Sequence, residues 1–344
     1  MPIAVTTRIL AHPTTGVERY LSEILDRLPA AAQIDRVAPR NPLSGIRAHA
    51  WDQFVLPTRL GGRLLWSPAN TGPLAVSHQV VTIHDIVPLE HPEWLSRKFA
   101  QWYRILMPRL VRRARAIITV SNYSKQRLVA ITGIPESKVT VISGGVSQRF
   151  FQATPAQSAD AVRQLGLPSS RYVLSVGSLE PRKNLPRLIS AWKQALPQLD
   201  ADIWLVIVGG IRKDIFKNTL AGELPERICL AGRVEDSILP ALYAGALVFA
   251  YPSVYEGFGL PPLEAMAAGA PVLTGNLTSL PEVVGDAGVM VDPHKPEAIA
   301  EGLLQLIKNE SERNVLAARA KKRAATFTWE NTASETLSLL QKYE

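Results

Sequence analysis

One stretch of the sequence constrains the fold more than any other, because it reads as a strand, a glycine-bearing loop and a helix in direct succession. Residues 246–251 form an apolar run that is typical of a buried strand. Pro261 and Pro262 favour the entrance of a helix, and Gly269 favours its end. A loop between a strand and a helix N-terminus presents backbone N–H groups beside a positive dipole end, so this stretch predicts an anion site in an α/β fold.

Two carboxylates bracket this loop. Glu256 and Glu264 have seven residues between them. Carboxylates are poor phosphate ligands but good acceptors for hydroxyl groups. The combination therefore suits a ligand with both a phosphate and a polyol, such as a sugar nucleotide. The residues alone leave open an ordinary strand-turn-helix with surface acids, because isolated glycine loops are weak signals.

Two adjacent cations follow another strand-like run. Residues 172–177 are strand-like, and Arg182 and Lys183 come soon afterwards, before a helical pattern. At a strand end these side chains can reach a diphosphate, where arginine offers a fork of N–H donors and lysine a point charge. The alternative is a solvated basic turn.

Further candidates lie in the first half of the chain. His84 and Asp85 follow the strand-like run 79–83, at the position where open α/β sheets bind ligands. Gly16 lies just before a helical pattern over residues 17–28. A structural histidine and a plain turn remain the alternatives for these two sites.

The spacing of Glu256 and Glu264, with the residues around each of them, resembles the E-x7-E motif of the retaining glycosyltransferases of family four. That family has the GT-B fold. The resemblance implies an α/β chain with two Rossmann-like, doubly wound domains facing each other across a cleft, and a C-terminal helix that returns to the first domain. We expect an acceptor-binding domain at residues 1–165 and 327–344 and a nucleotide-sugar-binding domain at residues 166–326. The linker is expected in the polar, proline-bearing stretch near residues 150–170.

The family resemblance also implies roles for individual residues. Arg182 and Lys183 would bind the diphosphate, Glu264 the ribose hydroxyls, and Glu256 the donor sugar. His84 would bind sugar hydroxyls or the acceptor. The remaining expected donor contacts are the N–H groups of Gly257, Phe258, Gly259 and Leu260 on the distal phosphate, the turn at Arg233 and Val234 beside the base, and the loop at Gly16. The catalytic set is then His84, Glu256, Lys183 and Arg182, with a front-face displacement in which the leaving phosphate accepts the acceptor's proton.

Within the family, the chain looks similar to bacterial enzymes that build surface polysaccharides such as lipopolysaccharide, many of which are mannosyltransferases that use GDP-mannose. The expected acceptor is a saccharide or a polyprenyl-linked saccharide. Two other classes remain open: a GT-B nucleotide-sugar epimerase or phosphorylase, and a non-catalytic nucleotide-sugar-binding protein. The pairing of Arg182 and Lys183 with the two glutamates argues against the first class. Intact Glu256, Glu264 and His84 argue against the second.

We expect neither a metal nor a cofactor. The sequence contains one D-x-D pattern, at Asp200 and Asp202. Metal-dependent transferases place such a pair after a strand, whereas here it precedes the strand-like run 203–208, at the opposite edge of a sheet. Fixed cations and the helix dipole would then neutralise the leaving diphosphate.

The charge is unevenly distributed. Residues 1–165 hold 20 basic and 10 acidic residues, against 18 and 20 in the remainder. Much of the excess lies in a segment, Arg97 to Arg115, whose apolar and aromatic residues predict an amphipathic basic helix broken near Pro108. It could lie on an anionic membrane surface or simply pack on the sheet with a solvated basic face. No nucleic-acid-binding module is recognisable, so we expect no nucleic-acid partner.

The sequence also indicates a cellular compartment. The single cysteine, Cys229, excludes an internal disulfide framework and is expected to be a buried spacer in a strand. The N-terminus lacks the pattern of a signal peptide, and no apolar stretch approaches the roughly 20 residues of a membrane span. We therefore expect a cytoplasmic protein, with peripheral contact to the inner face of the cell membrane as an option.

Overall fold

Short apolar runs of the sequence become the strands of two parallel sheets. The structure is a computed structural model that describes residues 2–11, 15–210 and 225–344. It divides into two compact units, one formed by Met1–Gly145 with Thr328–Glu344 and the other by Val146–Phe327. Each unit contains one six-stranded sheet. The α/β prediction is confirmed.

The first unit has its strands in the order β2-β1-β3-β4-β5-β6, all parallel. The order reverses direction between β1 and β3, which makes this the topological switch point of the sheet. The strands are β1 Ile3–Thr6, β2 Ile34–Val37, β3 Leu65–Ser67, β4 Gln79–Ile83, β5 Ala116–Thr119 and β6 Val139–Val141. The helices are α1 Gly16–Leu25, α2 Gly45–Ala50, α3 Val87–Glu90, α4 Arg97–Arg113 and α5 Asn122–Thr132.

The second unit has the strand order β12-β11-β10-β7-β8-β9, also all parallel, with its switch point between β7 and β10. This is the doubly wound order of dinucleotide-binding domains. The strands are β7 Arg171–Val176, β8 Ile203–Val208, β9 Ile228–Gly232, β10 Val248–Tyr251, β11 Val272–Gly275 and β12 Val289–Val291. The helices are α6 Gln148–Phe151, α7 Pro155–Gln164, α8 Leu185–Ala195, α9 Leu239–Ala244, α10 Leu260–Ala267, α11 Leu280–Val284, α12 Pro296–Lys308 and α13 Glu310–Ala324.

The core of the second unit explains why its strands carry almost no polar residues. Strand β8 reads Ile-Trp-Leu-Val-Ile-Val and is covered on both faces, as expected for a parallel sheet. Leu188 and Trp192 of α8 pack into the same buried cluster as Ile299 and Leu303 of α12. Packing of this kind holds the carboxyl ends of β7 and β10, and the loops that follow them, in fixed positions.

The last helix, α14 Trp329–Tyr343, belongs to the first unit, as predicted. The Trp329 ring lies edge-on to Tyr20 of α1 at 6.1 Å, and the Thr332 hydroxyl donates to the Ser143 carbonyl at 2.8 Å. A Cβ on Gly145 would lie 2.3 Å from the Trp329 backbone nitrogen, so only glycine permits this close approach.

Several expectations differ from the structure. The boundary lies at Gly145 and not near residue 165, because α7 packs within the second unit, where Ser158 bonds to Tyr172 at 3.1 Å. Strand β2 was missed, since it is an edge strand whose residues Asp35 and Arg36 break the apolar pattern.

Helix α4 and Cys229 also differ from what the sequence predicted. Helix α4 is continuous through Pro108, because the segment packs along the sheet through a buried apolar face that includes Leu106 and Leu110. Cys229 is only half-buried, because β9 is the edge strand of the second sheet.

Candidate active site

The switch point of the second sheet brings two separate parts of the sequence together. Strands β7 and β10 are hydrogen-bonded neighbours although β8 and β9 lie between them in the chain. The loops that follow them, residues 177–184 and 252–259, therefore start side by side at the carboxyl edge of the sheet. This is the place where doubly wound sheets bind their ligands.

Backbone hydrogen bonds join these two loops. The carbonyl oxygen of Arg182 accepts from the Val254 N–H at 2.9 Å and from the Ser253 hydroxyl at 2.7 Å. Asn184 has a left-handed conformation, with φ of 60°, and its side-chain amide donates to the Pro252 carbonyl at 2.9 Å. Because of these bonds, residues 182–184 and 252–254 hold one another in place.

Arg182, Lys183 and Glu256 form one ionic cluster. Lys183 Nζ donates to Glu256 Oε1 at 2.8 Å, and Arg182 donates to Glu256 Oε2, also at 2.8 Å. The Tyr251 and Ser253 hydroxyls donate to Oε1 at 2.9 and 2.7 Å, and Lys183 also donates to Tyr251. The Glu256 side chain is only 6% exposed. We call these five residues the ionic cluster.

The charges in the ionic cluster shift the pKa values of its members. Burial raises the pKa of Glu256, but the Lys183 and Arg182 charges outweigh burial and bring that pKa to about 2. Burial lowers the pKa of Lys183, and the Glu256 charge opposes this shift. Burial and the Glu256 charge raise the pKa of Tyr251 well above its ordinary value. Glu256 is thus ionised and Tyr251 neutral near neutral pH.

The loop after Glu256 is fixed by residues that the sequence did not single out. The Glu256 N–H donates to the Thr278 hydroxyl at 3.1 Å, and the Ser279 hydroxyl donates to the Phe258 carbonyl at 2.8 Å. Gly257 lies between these anchored residues. Polar residues ahead of α11 therefore set the path of the glycine loop.

Helix α10 starts where the glycine loop ends, and Leu260 is its first residue. Gly259 has φ of 116°, a left-handed conformation that favours glycine. Pro261 and Pro262 have no N–H groups, so the helix start contributes fewer donors than an ordinary first turn. Any backbone donors near the helix start therefore belong mainly to the loop residues 257–260.

Glu264 occupies the buried side of α10. It is 5% exposed, and it accepts a hydrogen bond from the Tyr243 hydroxyl at 3.2 Å. Tyr243 in turn contacts Phe249 of β10 edge-on at 5.2 Å. Glu264 thus has an aromatic partner that its spacing from Glu256 does not reveal.

Arg233 and Val234 directly follow the edge strand β9. The Arg233 side chain is exposed, and Val234 is half-buried. The Gly232 carbonyl before them accepts from the Gly209 N–H at 2.8 Å. Both residues therefore lie at the carboxyl edge of the second sheet, but two strands away from β7.

His84 belongs to the first unit, directly after β4. Its Nε2 is 2.7 Å from the Pro68 carbonyl, and its ring lies edge-on to Tyr20 at 4.7 Å. Because a carbonyl only accepts, Nε2 carries the proton and Nδ1 is left as an acceptor. Burial lowers the pKa of His84, so the ring is neutral at pH 7.

Gly16 is the first residue of α1, the helix that carries Tyr20, and is exposed. The beginning of α1 thus lies near His84. The preceding part of the expected glycine loop, residues 12–14, lies outside the described residues.

The D-x-D pattern has a structural role. Asp200 and Asp202 form ion pairs with Arg171 at 3.1 and 2.8 Å. Arg171 starts β7, so this cluster lies at the amino edge of the sheet, opposite the ionic cluster.

Comparisons with known proteins agree with this architecture. The model of the family described as "Glycosyl transferases group 1" matches residues 158–323, and that of "Glycosyltransferase Family 4" matches residues 69–149. The chain is 30% identical to O-antigen chain mannosyltransferase B of Escherichia coli, over 98% of this chain and 99% of that one. It is 32% identical to a serotype-specific mannosyltransferase WbdA of Escherichia coli, over 74% of this chain and 32% of that one.

Solved structures show the same fold at lower identity. Anabaena HepE, in complex with UDP and glucose, superposes with a TM-score of 0.78 at 20% identity, over 99% of this chain and all of that one. The glycosyltransferase WaaG, described as involved in lipopolysaccharide biosynthesis, has a TM-score of 0.73 at 17% identity over 98% of this chain. At these identities the likeness concerns the fold, and it confirms the predicted GT-B fold.

Proposed function

The chain belongs to glycosyltransferase family 4, and from this premise we propose that it transfers mannose from GDP-mannose to a saccharide or polyprenyl-linked acceptor, with retention of anomeric configuration. The acceptor would be a growing cell-surface polysaccharide. Similarity along nearly its full length to an O-antigen chain mannosyltransferase supports this sugar and this acceptor class.

The observation that carries the proposal is the ionic cluster at the switch point of the second sheet. Two cations, Arg182 and Lys183, are held at the carboxyl ends of strands beside the glycine loop of residues 257–260. A nucleotide diphosphate would bind the cations and the amides of residues 257–260. When the bond to the sugar breaks, these groups would stabilise the charge that develops on the leaving phosphate.

The two glutamates fit different parts of the donor in this proposal. Glu264 would accept hydrogen bonds from the ribose, and Glu256 would orient both the cations and the sugar. In the first unit, Nδ1 of His84 would accept from a sugar hydroxyl or from the acceptor. The leaving phosphate would take the proton of the acceptor hydroxyl, so the step needs no protein nucleophile.

We propose that the transfer requires no metal ion. The D-x-D carboxylates, which a metal would need, already neutralise Arg171 at the far edge of the sheet. The charge on the diphosphate would instead be offset by Arg182 and Lys183. Turnover that is unchanged by EDTA would support this, and turnover that requires added Mg²⁺ or Mn²⁺ would contradict it.

A screen of donors tests the proposed sugar nucleotide. We expect saturating GDP-mannose, at about 100 times its Kd, to stabilise the protein by about 2.7 kcal/mol and to raise its melting temperature by roughly 4 °C. UDP-, dTDP- and ADP-sugars should raise the melting temperature less than GDP-mannose does. Differential scanning fluorimetry provides the measurement, and NMR of the transfer product gives its anomeric configuration.

The same screen separates the competing functions. Release of nucleotide diphosphate without a glycosylated product would indicate an epimerase or a phosphorylase. Binding without hydrolysis or transfer, across a broad acceptor panel, would indicate a binding protein. An inverted product would contradict the retaining mechanism, and a larger shift with another nucleotide would contradict GDP-mannose as the donor.

We further propose that α4 contacts an anionic membrane surface. Phe99 and Ile105 are 40% and 52% exposed, whereas Tyr103 is buried, so only part of the aromatic set is available to lipid. The exposed basic residues of the helix are Arg97, Lys98, Arg104, Arg109, Arg112 and Arg113. Among the described residues, none of the helices combines the length and apolar character that crossing a membrane requires.

Vesicle sedimentation tests this contact. We expect the protein to sediment with phosphatidylglycerol vesicles but not with phosphatidylcholine vesicles, and the double variant Arg104→Glu/Arg109→Glu to lose at least about tenfold in binding, since each basic residue near the surface contributes about 1 kcal/mol. The control is Arg319→Glu/Lys322→Glu on α13, with the same change in charge at exposed positions. Equal losses in both double variants would show only a net-charge effect and contradict the assignment to α4.

A further inference from the structure

The first sheet also has a switch point, between β1 and β3, and a small pocket lies there. Its lining includes Thr6 at the end of β1, Arg8 and Ile9 just after it, Asp52 and Leu56, and Thr71 in the loop after β3. The pocket has room for about one water-sized group. We call it the β1/β3 pocket.

A buried ion pair forms one side of the β1/β3 pocket. Arg8 donates to the two carboxylate oxygens of Asp52 at 3.0 and 2.8 Å. The two side chains are 10% and 2% exposed. Asp52 lies on the π-helical turn Trp51–Val55, a conformation that is frequent at functional sites. The pair presents N–H donors and a carboxylate together, with no net charge.

Two hydroxyl groups in the lining are buried: Thr6 is 7% exposed and Thr71 is 5% exposed. The Thr71 hydroxyl has the Tyr103 hydroxyl as a neighbour, whereas the Thr6 hydroxyl has no hydrogen-bond partner among the described residues. Such an unpaired group is rare in folded proteins, because an unmade hydrogen bond to a buried group costs about 1–3 kcal/mol. Both hydroxyls line the same pocket, and the unpaired Thr6 hydroxyl suggests that a ligand supplies the missing bond.

The loop that carries Thr71 is held firmly, and one of its anchors is His84. The Pro68 carbonyl accepts from His84 Nε2 at 2.7 Å, and the Asn70 side chain accepts from the His84 N–H at 2.6 Å. From the other side, the Gln53 side chain donates to the Gly72 carbonyl at 2.8 Å. The β1/β3 pocket is therefore built against the same loop that orients His84.

The side chains that line the β1/β3 pocket limit the chemical class of ligand that it can bind. An anion would need an uncompensated cation, but Arg8 is already neutralised by Asp52. A divalent cation would need several oxygen ligands that carry charge, and Asp52 is the one carboxylate in the lining. A neutral hydroxyl group can donate to Asp52 or a threonine and accept from Arg8 or a threonine. It also matches a pocket of this size.

We propose that the β1/β3 pocket binds one hydroxyl group of the acceptor saccharide. This inference rests on the proposed function, and it assigns Thr6 and Thr71 as residues that select the acceptor. The hydroxyl displaces a water and bonds to both threonines beside the ion pair. The ring that carries it lies next to the loop held by His84.

The test uses Thr71→Val with octyl α-mannoside and its four monodeoxy analogues as acceptors and GDP-mannose as donor. We expect the KM for octyl α-mannoside to rise about tenfold, because the variant loses one hydrogen bond to the acceptor. The KM for the donor should not change. With the wild type, one monodeoxy analogue should have a KM about tenfold higher than that of octyl α-mannoside. With Thr71→Val, the same analogue should have the same KM as octyl α-mannoside, as in a double-mutant cycle. The melting temperature of Thr6→Val should stay equal or rise, because valine at this position removes an unsatisfied hydroxyl.

Thr6→Val is the second variant, and Thr336→Val is the matched control. Thr336 also has a buried hydroxyl, with the Tyr20 hydroxyl as its neighbour, but it lies on α14 and does not line the pocket. The inference would be overturned if Thr71→Val and Thr6→Val left the acceptor KM unchanged, or if Thr336→Val raised the acceptor KM as much as they do. Either result would leave the proposed function intact. If the wild type transfers nothing to octyl α-mannoside or to longer mannose-terminated glycolipids, the proposed function fails and this inference fails with it.

Discussion

Lys183→Ala is expected to lower kcat by about 10²–10³-fold, the range seen when one group that stabilises transition-state charge is removed. Lys183 is the buried point charge of the ionic cluster, and its Nζ lies 2.8 Å from Glu256. In the proposed mechanism the charge on the leaving diphosphate grows as the bond to the sugar breaks. The ammonium would therefore bind the transition state more strongly than the ground state, so its loss should appear in kcat.

The fold should survive this change. Glu256 keeps its bonds to Arg182, Tyr251 and Ser253, although Arg182 also pairs with Glu180 at 2.5 Å and is shared between the two carboxylates. Steady-state kinetics and circular dichroism on the purified variant give the two readouts. Lys193→Ala is the matched control, because Lys193 is an exposed lysine on the neighbouring helix α8. Near-normal turnover in a folded Lys183→Ala variant would refute the assignment of Lys183 to the diphosphate.

Glu256→Gln is expected to destabilise the second unit in a manner that depends on pH. The folded-state pKa of Glu256 is about 2, compared with 4.5 for an ordinary glutamate. A depressed pKa means that the ionised form stabilises the fold above pH 4.5, and that this contribution disappears as pH falls from 4.5 towards 2. The difference between the two pKa values corresponds to about 3 kcal/mol in the free energy of unfolding at neutral pH.

Urea unfolding at several pH values measures this effect. We expect the free energy of unfolding of wild type minus that of Glu256→Gln to be about 3 kcal/mol at pH 6 and to approach zero near pH 2. The difference removes the contribution of the other carboxylates. Glu335→Gln, at an exposed position on α14, should show almost no difference at either pH. A constant difference across this range would show that Glu256 does not owe its contribution to its ionised form.

The sequence was sufficient to predict that these charged residues follow strands, but not the contacts between them. The position of Arg182 and Lys183 after one strand, and of Glu256 after another, suggested separate roles on phosphate and sugar. In the structure Lys183 and Glu256 are hydrogen-bonded across 73 positions of sequence. This contact depends on β7 lying beside β10, an order that no local pattern encodes. Tyr251 and Ser253 were missed for the same reason.

Other differences have local physical causes. Strand β2 carries charges because it is an edge strand, so the apolar pattern that identified its neighbours was absent. Pro108 does not break α4, because the buried face of that helix compensates for the lost backbone hydrogen bond. The unpaired hydroxyl of Thr6 could not be predicted from the sequence, since a threonine at the end of a strand is ordinary.

The contact between Gly145 and Trp329 joins the two points at which the chain leaves and re-enters the first unit. The second unit begins at Val146 and ends at Phe327, and the Val146 N–H donates to the Phe327 carbonyl at 3.0 Å. Its entry and exit are thus adjacent, as in domains that tolerate transplantation into another polypeptide. Two cuts, after residues 145 and 327, would release the second unit as one uninterrupted piece. A related unit with neighbouring ends could be joined at the same two points without longer linkers.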